Sequence, residues 1–116
     1  MCESVQVGTN RRYPDAGARR GQERRLQEIR LQGRLQSLTE EQLDLDNQAV
    51  SIAPERATMW GLAWLRFGDA DIRCPVRVRR WTDDAVGVEV DVGTETLRCW
   101  VWQGAVQRTA GRPPAG

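Results

Sequence analysis

From residue 86 the chain reads "VGVEVDVGTETLRCWVWQ". Val86, Val88, Val90 and Val92 alternate with other residues, Gly93-Thr94 interrupts, and a second alternating run follows. A period of two marks a β-strand, because successive side chains point to opposite faces of a sheet. Gly93-Thr94 fits a two-residue hairpin turn with glycine at its first central position. That turn sets a register in which Val92 faces Glu95, Val90 faces Leu97, Val88 faces Cys99 and Val86 faces Val101. The other side pairs Asp91 with Thr96, Glu89 with Arg98 and Gly87 with Trp100. A slip of one residue would turn every valine to the wrong face, so this hairpin constrains whatever packs beside it.

Two earlier runs, "TMWGLAWLRF" (58–67) and "IRCPVRVRRWT" (72–82), carry the same signal and are punctuated by "GDAD" and "DD". Pro54 could open a helix over 54–66, but Trp60, Gly61 and Phe67 suit a strand better. Folding "VRVRRWT" back through a three-residue turn at Asp83-Asp84-Ala85 sets Val78 against Val90 and Val76 against Val92. The opposite side then pairs Arg77 with Asp91, Arg79 with Glu89 and Trp81 with Gly87. The "GDAD" turn brings Leu65 to Cys74, Ala63 to Val76 and Trp60 to Arg79.

One face of this meander is the expected core: Met59, Ala63, Leu65, Phe67, Ile72, Cys74, Val76, Val78, Val86, Val88, Val90, Leu97, Cys99 and Val101. The other face collects all five tryptophans, Trp60, Trp64, Trp81, Trp100 and Trp102, around Gly87 and beside Arg77, Arg79 and Arg98. These nine residues form the candidate partner-binding surface. An apolar face of this size calls for a cover: the chain's own helix, a second copy, or a ligand.

Ahead of the strands, "QERRLQEIRLQGRLQSL" (22–38) is composed of helix-favouring residues. Leu31, Leu35 and Leu38 share a helical face with Leu26 and Ile29 roughly opposite, and Gly33 weakens the middle by about 1 kcal/mol. An extended reading instead puts Ile29, Leu31, Gly33 and Leu35 on one side. "TEEQ" from Thr39 has the pattern of a capping box and predicts a short helix around 40–46. Residues 1–21 and 109–116 are rich in Gly, Arg and polar residues. They read as a disordered arm and tail around a single domain over 22–108. The fold class expected is α+β, mainly β, with an N-terminal helix and a four- to five-stranded antiparallel meander. With "GAVQRT" as a tight turn and last strand, the order resembles in outline the SH3-like and Sm-like small barrels. The resemblance is one of strand rhythm, and it implies a sheet that curls into a small barrel.

A chain of 116 residues suits one domain, and 40% apolar with 28% charged residues suits a globular one. No apolar run approaches the ~20 residues of a membrane span, and the N-terminus lacks the apolar centre of a secretory signal. Three cysteines in that setting imply a reducing compartment, with the cytoplasm as the expected location. All 17 basic residues are arginine, which fits a GC-rich coding bias, and histidine is absent. The missing histidine removes the commonest general base and metal ligand. Cys2, Cys74 and Cys99 form no C-x-x-C pair, so neither a metal nor a cofactor is expected. Cys74 and Cys99 fall on the core face, and Asp83-Asp84 reads as a turn rather than an acid–base pair. An enzyme is therefore not expected.

The net charge of +1 hides a segregation. Arg11, Arg12, Arg19, Arg20, Arg24 and Arg25 stand against only Asp15 and Glu23 over 11–25, whereas 35–55 holds five acids and no arginine. The function expected is a non-catalytic interaction module, an adaptor, inhibitor or self-associating protein, that uses the tryptophan–arginine face. The alternative is a nucleic-acid-binding regulatory protein, with bases stacked on the tryptophans and the six N-terminal arginines on phosphates.

Overall fold

The computed structural model describes residues 14–113. Helix α1 (Pro14–Arg30) leads to a short helix α2 (Glu40–Leu43) and then to β1 (Ser51–Ile52), β2 (Met59–Phe67), β3 (Ala70–Trp81), β4 (Ala85–Val92) and β5 (Glu95–Trp102). A 3-10 turn at Gln103–Ala105 precedes β6 (Val106–Thr109). The strands make one antiparallel sheet in the order β5-β4-β3-β2-β6, with β1 paired to the end of β3. No helix among the described residues is long and apolar enough to cross a membrane.

The β4–β5 hairpin has the predicted register from Val92↔Glu95 to Val86↔Val101. Gly93 turns it at φ +62°, a conformation that glycine adopts without a Cβ clash. As far as Val78, the other two pairings keep the predicted faces but not the predicted partners. Gly68 at φ +59° makes a tighter β2–β3 turn, so Ala63 faces Cys74, Leu65 faces Ile72 and Trp60 faces Arg77. In the β3–β4 pair Arg77 faces Glu89 and Val78 faces Val88. Both shifts are of two residues, an even number, and the core face survives them. Ala63, Leu65, Phe67, Ile72, Cys74, Val76, Val78, Val86, Val88, Val90 and Cys99 are buried in one cluster, and Met59, Leu97 and Val101 pack against it.

The sheet is not closed into a barrel, which corrects the curled form expected from strand rhythm. The last strand, β6, returns to pair with β2, but β5 and β6 do not pair with each other. Residues 34–38 run between the two edges instead. Leu35 bridges to Phe67, the Gln36 N–H donates to the Arg66 carbonyl (2.8 Å), and the Leu38 N–H donates to the Trp100 carbonyl (2.9 Å). That task requires extended backbone, and α1 accordingly ends at Arg30 instead of continuing to Leu38. Gly33 marks the change: a Cβ there would lie 2.6 Å from the Gly68 Cα, so only a glycine lets this segment cross the β2–β3 turn.

Helix α1 packs on the core, and its Gln22, Glu23 and Leu26 share a cavity with Trp60. Leu26 is buried in the main core, and Ile29 packs against it. β3 and β4 pair only between Arg77–Trp81 and Val86–Glu89, and α1 contacts both strands. The Gln22 side-chain amide donates to the Arg73 carbonyl (3.1 Å), in the part of β3 that β4 does not reach. Arg30 pairs with Glu95 beside the hairpin turn. The helix thus supplies polar partners where sheet pairing stops. It begins at Pro14, inside the stretch read as an arm, while residues 1–13 and 114–116 lie outside the described residues. Short helix α2 has the predicted box: the Gln42 N–H donates to the Thr39 hydroxyl (3.2 Å) and the Thr39 N–H donates to the Gln42 side chain (2.9 Å).

Val88→Asp is expected to unfold the domain, because it places an unpaired carboxylate among Val78, Cys99 and their neighbours, at a cost on the order of 4–5 kcal/mol. Leu31→Asp, at a position 85% exposed, should change stability by less than about 0.5 kcal/mol. Thermal unfolding of the two variants compares them directly, and equal melting temperatures would contradict the core assignment.

Candidate functional site

The candidate surface is organised by a bulge in β3. Val78 pairs with Val88, but Arg80, not Arg79, pairs with Gly87. One extra residue therefore sits on β3, and a bulge of this kind bends a strand and re-aims the side chains beyond it. The Arg79 carbonyl is satisfied from the other side by the Ala53 N–H (2.8 Å), next to β1. Past the bulge Trp81 pairs with Val86 and packs against the core, with the Arg108 guanidinium 5.5 Å from its ring centre. Trp81 is thus removed from the face on which the alternation placed it.

Gly87 keeps its predicted partner. Trp100 lies across it: a Cβ on Gly87 would meet three atoms of the indole at 3.3–3.4 Å. Contacts so nearly equal mean that the ring lies flat on the glycine. One indole face is taken by backbone, and the other faces outward. The outer edge of β5 holds the ring's backbone in place, since the Trp100 N–H donates to the Ser37 hydroxyl (2.8 Å).

Around this indole opens a groove of about 660 Å³. Arg79, Arg80 and Arg98 contribute the positive charge, Glu55 and Glu89 the negative, and Ile52, 70% exposed, an apolar wall. Glu89 is already engaged, by Arg98 (2.8 Å) and by Arg77 (3.4 Å). Arg77 also grips Asp91 with two nitrogens (2.6 and 2.8 Å), and the Thr96 hydroxyl donates to the same carboxylate (2.8 Å). Among the described residues Arg79 and Arg80 form no ion pair. The predicted Arg79–Glu89 pair is absent because the register places Arg77 opposite Glu89 instead.

These contacts fix the charge states. The Arg77 hydrogen bonds hold the Asp91 carboxyl down at about 2. Burial pushes Glu89 up, but its bonds from Arg98 and Arg77 outweigh that and leave it below its ordinary value. Burial raises the thiols of Cys74 to about 12 and Cys99 to about 11, which makes both poor nucleophiles.

Of the nine candidate residues, Arg79, Gly87, Arg98 and Trp100 meet in the groove, with Arg77 just behind through Glu89. Trp60 is elsewhere, under the Arg112 guanidinium at 5.1 Å. Pro113, next to it, is buried, so residues 112–113 pack on the protein rather than trailing away as a tail. Trp64 and Trp102 are exposed outside the groove, at 55% and 46%. Arg80 and Ile52 were not singled out in the sequence. Arg80 had a signal, because "RR" breaks the alternation of "VRVRRW". In the N-terminal set, Arg11 and Arg12 lie outside the described residues and Arg19 falls within α1. Arg20, Arg24 and Arg25 are exposed on α1, and none of the three lines the groove. Among the described residues no three Asp, Glu or Cys side chains gather as metal ligands would.

Comparison with protein-family models, with curated proteins and with solved structures gives no match to this chain.

Two outcomes follow from this geometry. Asp91 has a folded value of about 2 against an ordinary 3.8, so it stabilises the fold above pH 3.8 and loses that effect as pH falls through 2. Acid unfolding curves of wild type and Asp91→Asn should converge in that window, the variant being the less stable only above it. Gly87→Val should leave the fold intact, since the valine core faces the other way, but must displace Trp100: the Cβ alone requires a few tenths of an ångström, and the two γ-carbons require more. Near-ultraviolet circular dichroism should change while the melting temperature moves little.

Proposed function

We propose that this protein is a non-catalytic binding module, and that its working surface is the groove around Trp100. The observation that carries the reading is the indole laid flat on Gly87 in a groove that Arg79 and Arg80 also line. A rigid aromatic plane beside arginine forks suits an acidic partner segment that also presents an apolar side chain. The aromatic contact supplies buried area, and the guanidinium groups select carboxylates. The absence of histidine and lysine and the burial of both core thiols support a role without catalysis. Free thiols also fit a reducing compartment, the cytoplasm.

A second reading is single-stranded nucleic acid, favoured by the same indole, on which a base could stack. Glu55 and Glu89 in the groove and the net charge of +1 weigh against it. Salt separates the two. Phosphate binding weakens steeply as salt rises, whereas an aromatic protein contact keeps part of its affinity. Tryptophan fluorescence titrated with an acidic peptide and with a single-stranded oligonucleotide, at low and high salt, should show the peptide bound in both. Arg79→Glu/Arg80→Glu should weaken peptide binding at least about tenfold, two charge-assisted contacts being worth that much. Oligonucleotide binding in preference to peptide, abolished by salt, would replace the protein reading with the nucleic-acid one.

A further inference from the structure

The chain carries an acidic segment of its own that fits the groove. Glu40 and Glu41 open α2, and Asp44 and Asp46 follow it, all exposed. Among the described residues none of the four forms an ion pair. Leu45 stands between the two aspartates, 43% exposed. The segment is held rigid: Leu43 is buried, and Asp44 adopts φ 50° as its N–H donates to the Glu40 carbonyl (3.1 Å). Asn47 donates to the Asp44 carboxylate through its side chain (2.8 Å). A ligand with fixed carboxylates and a fixed leucine loses little freedom on docking.

We infer that the partner of the groove is this Glu40–Asp46 segment of a second copy of the chain, exchanged reciprocally about a two-fold axis. The inference rests on the reading of the groove given above. Charge argues for it: the four acids of 40–46 and Arg79 and Arg80 are opposite in sign, and among the described residues neither set forms an ion pair. Position argues for the two-fold. Ser37 lines the groove and Thr39 caps α2, so the acidic segment starts at the rim of the groove. Two complementary patches side by side on one surface meet their counterparts at once when a copy is rotated onto them, and the contact closes as a dimer. In it Leu45 of each copy lies toward the free face of Trp100 and the exposed Ile52. Exposed ion pairs are individually weak and salt-screened, so the dimer is concentration- and salt-dependent.

Sedimentation equilibrium of the full chain tests this. Wild type should be a dimer at low salt, and its dimerisation should weaken without being lost at high salt, where the Leu45–Trp100 contact persists. Arg79→Glu/Arg80→Glu and Glu41→Arg/Asp46→Arg should each be monomeric, since each sets like charges against each other, with circular dichroism confirming that both fold. Mixed one to one, they should recover the mass of a dimer, because both contacts of the mixed pair are again complementary. A wild type monomeric at every concentration, or two variants that dimerise as wild type does, would overturn the inference. A synthetic peptide of residues 39–48 keeps that failure apart from failure of the groove. If wild type is a monomer yet binds the peptide, and Arg79→Glu/Arg80→Glu does not, only the two-fold exchange is overturned. If the peptide does not bind either, both readings are overturned.

Discussion

The extra residue at Arg79–Arg80 is the constraint on which the surface of this protein depends. Before it, β3 alternates valine inward and arginine outward, and the pattern agrees with β4. After it, Trp81 joins Val86 at the core, and Arg80 takes the place beside Gly87. Without the bulge the register would run on to set Arg79 opposite Gly87 and Trp81 opposite Ala85, which would keep the Trp81 indole on the outer face instead of at the core. With it, the floor under Trp100 is bare backbone and the neighbours are arginines. The bulge also leaves the Arg79 carbonyl for Ala53, which brings Ile52 and Glu55 up as one wall of the groove.

Electrostatics complete what the bulge begins. Arg77 reaches both Glu89 and Asp91, and Arg98 takes the other oxygen of Glu89. All four groups in this network stand outside the bulge, and Arg77, Glu89 and Arg98 face one another by register alone. Of the two carboxylates that line the groove, Glu89 is held by arginines that belong to the regular part of the sheet. The positive charge left at Arg79 and Arg80 is therefore a consequence of where the alternation breaks, and not of the composition, whose balance is close to neutral. Helix α1 and the 34–38 segment serve the same end from a distance, by filling the split between β3 and β4 and by fixing the edge of β5 at Trp100.

Much of the fold was legible because valine alternation reports the core face directly. The β4–β5 hairpin was readable to the residue, since Gly93-Thr94 leaves no freedom in turn length. The longer punctuation "GDAD" and "TDDA" left a freedom of two residues, which changes partners without changing faces. The bulge was harder, because a propensity reading treats "RRW" as the end of a strand, although two consecutive arginines are where the period visibly fails. Gly33 was misread for a similar reason. Taken locally, it weakens a helix; in the fold, it lets the backbone cross Gly68, a contact between residues distant in sequence that no local pattern reports. The groove itself was half legible: the Gly87–Trp100 pair followed from register, whereas Arg80 and Ile52 enter through tertiary pairing.

The central claim is that the β4–β5 register lays Trp100 flat on Gly87 while the bulge in β3 turns Trp81 to the core beside Val86. Proton NMR reads this directly. The aromatic ring should shift a Gly87 α-proton strongly upfield, and the same proton should show nuclear Overhauser contacts to the six-membered ring of Trp100. Trp81 should instead show contacts to the methyl groups of Val86. Contacts from the Trp81 ring to Gly87, or a Gly87 α-proton at an ordinary strand position, would contradict the bulge and with it the groove.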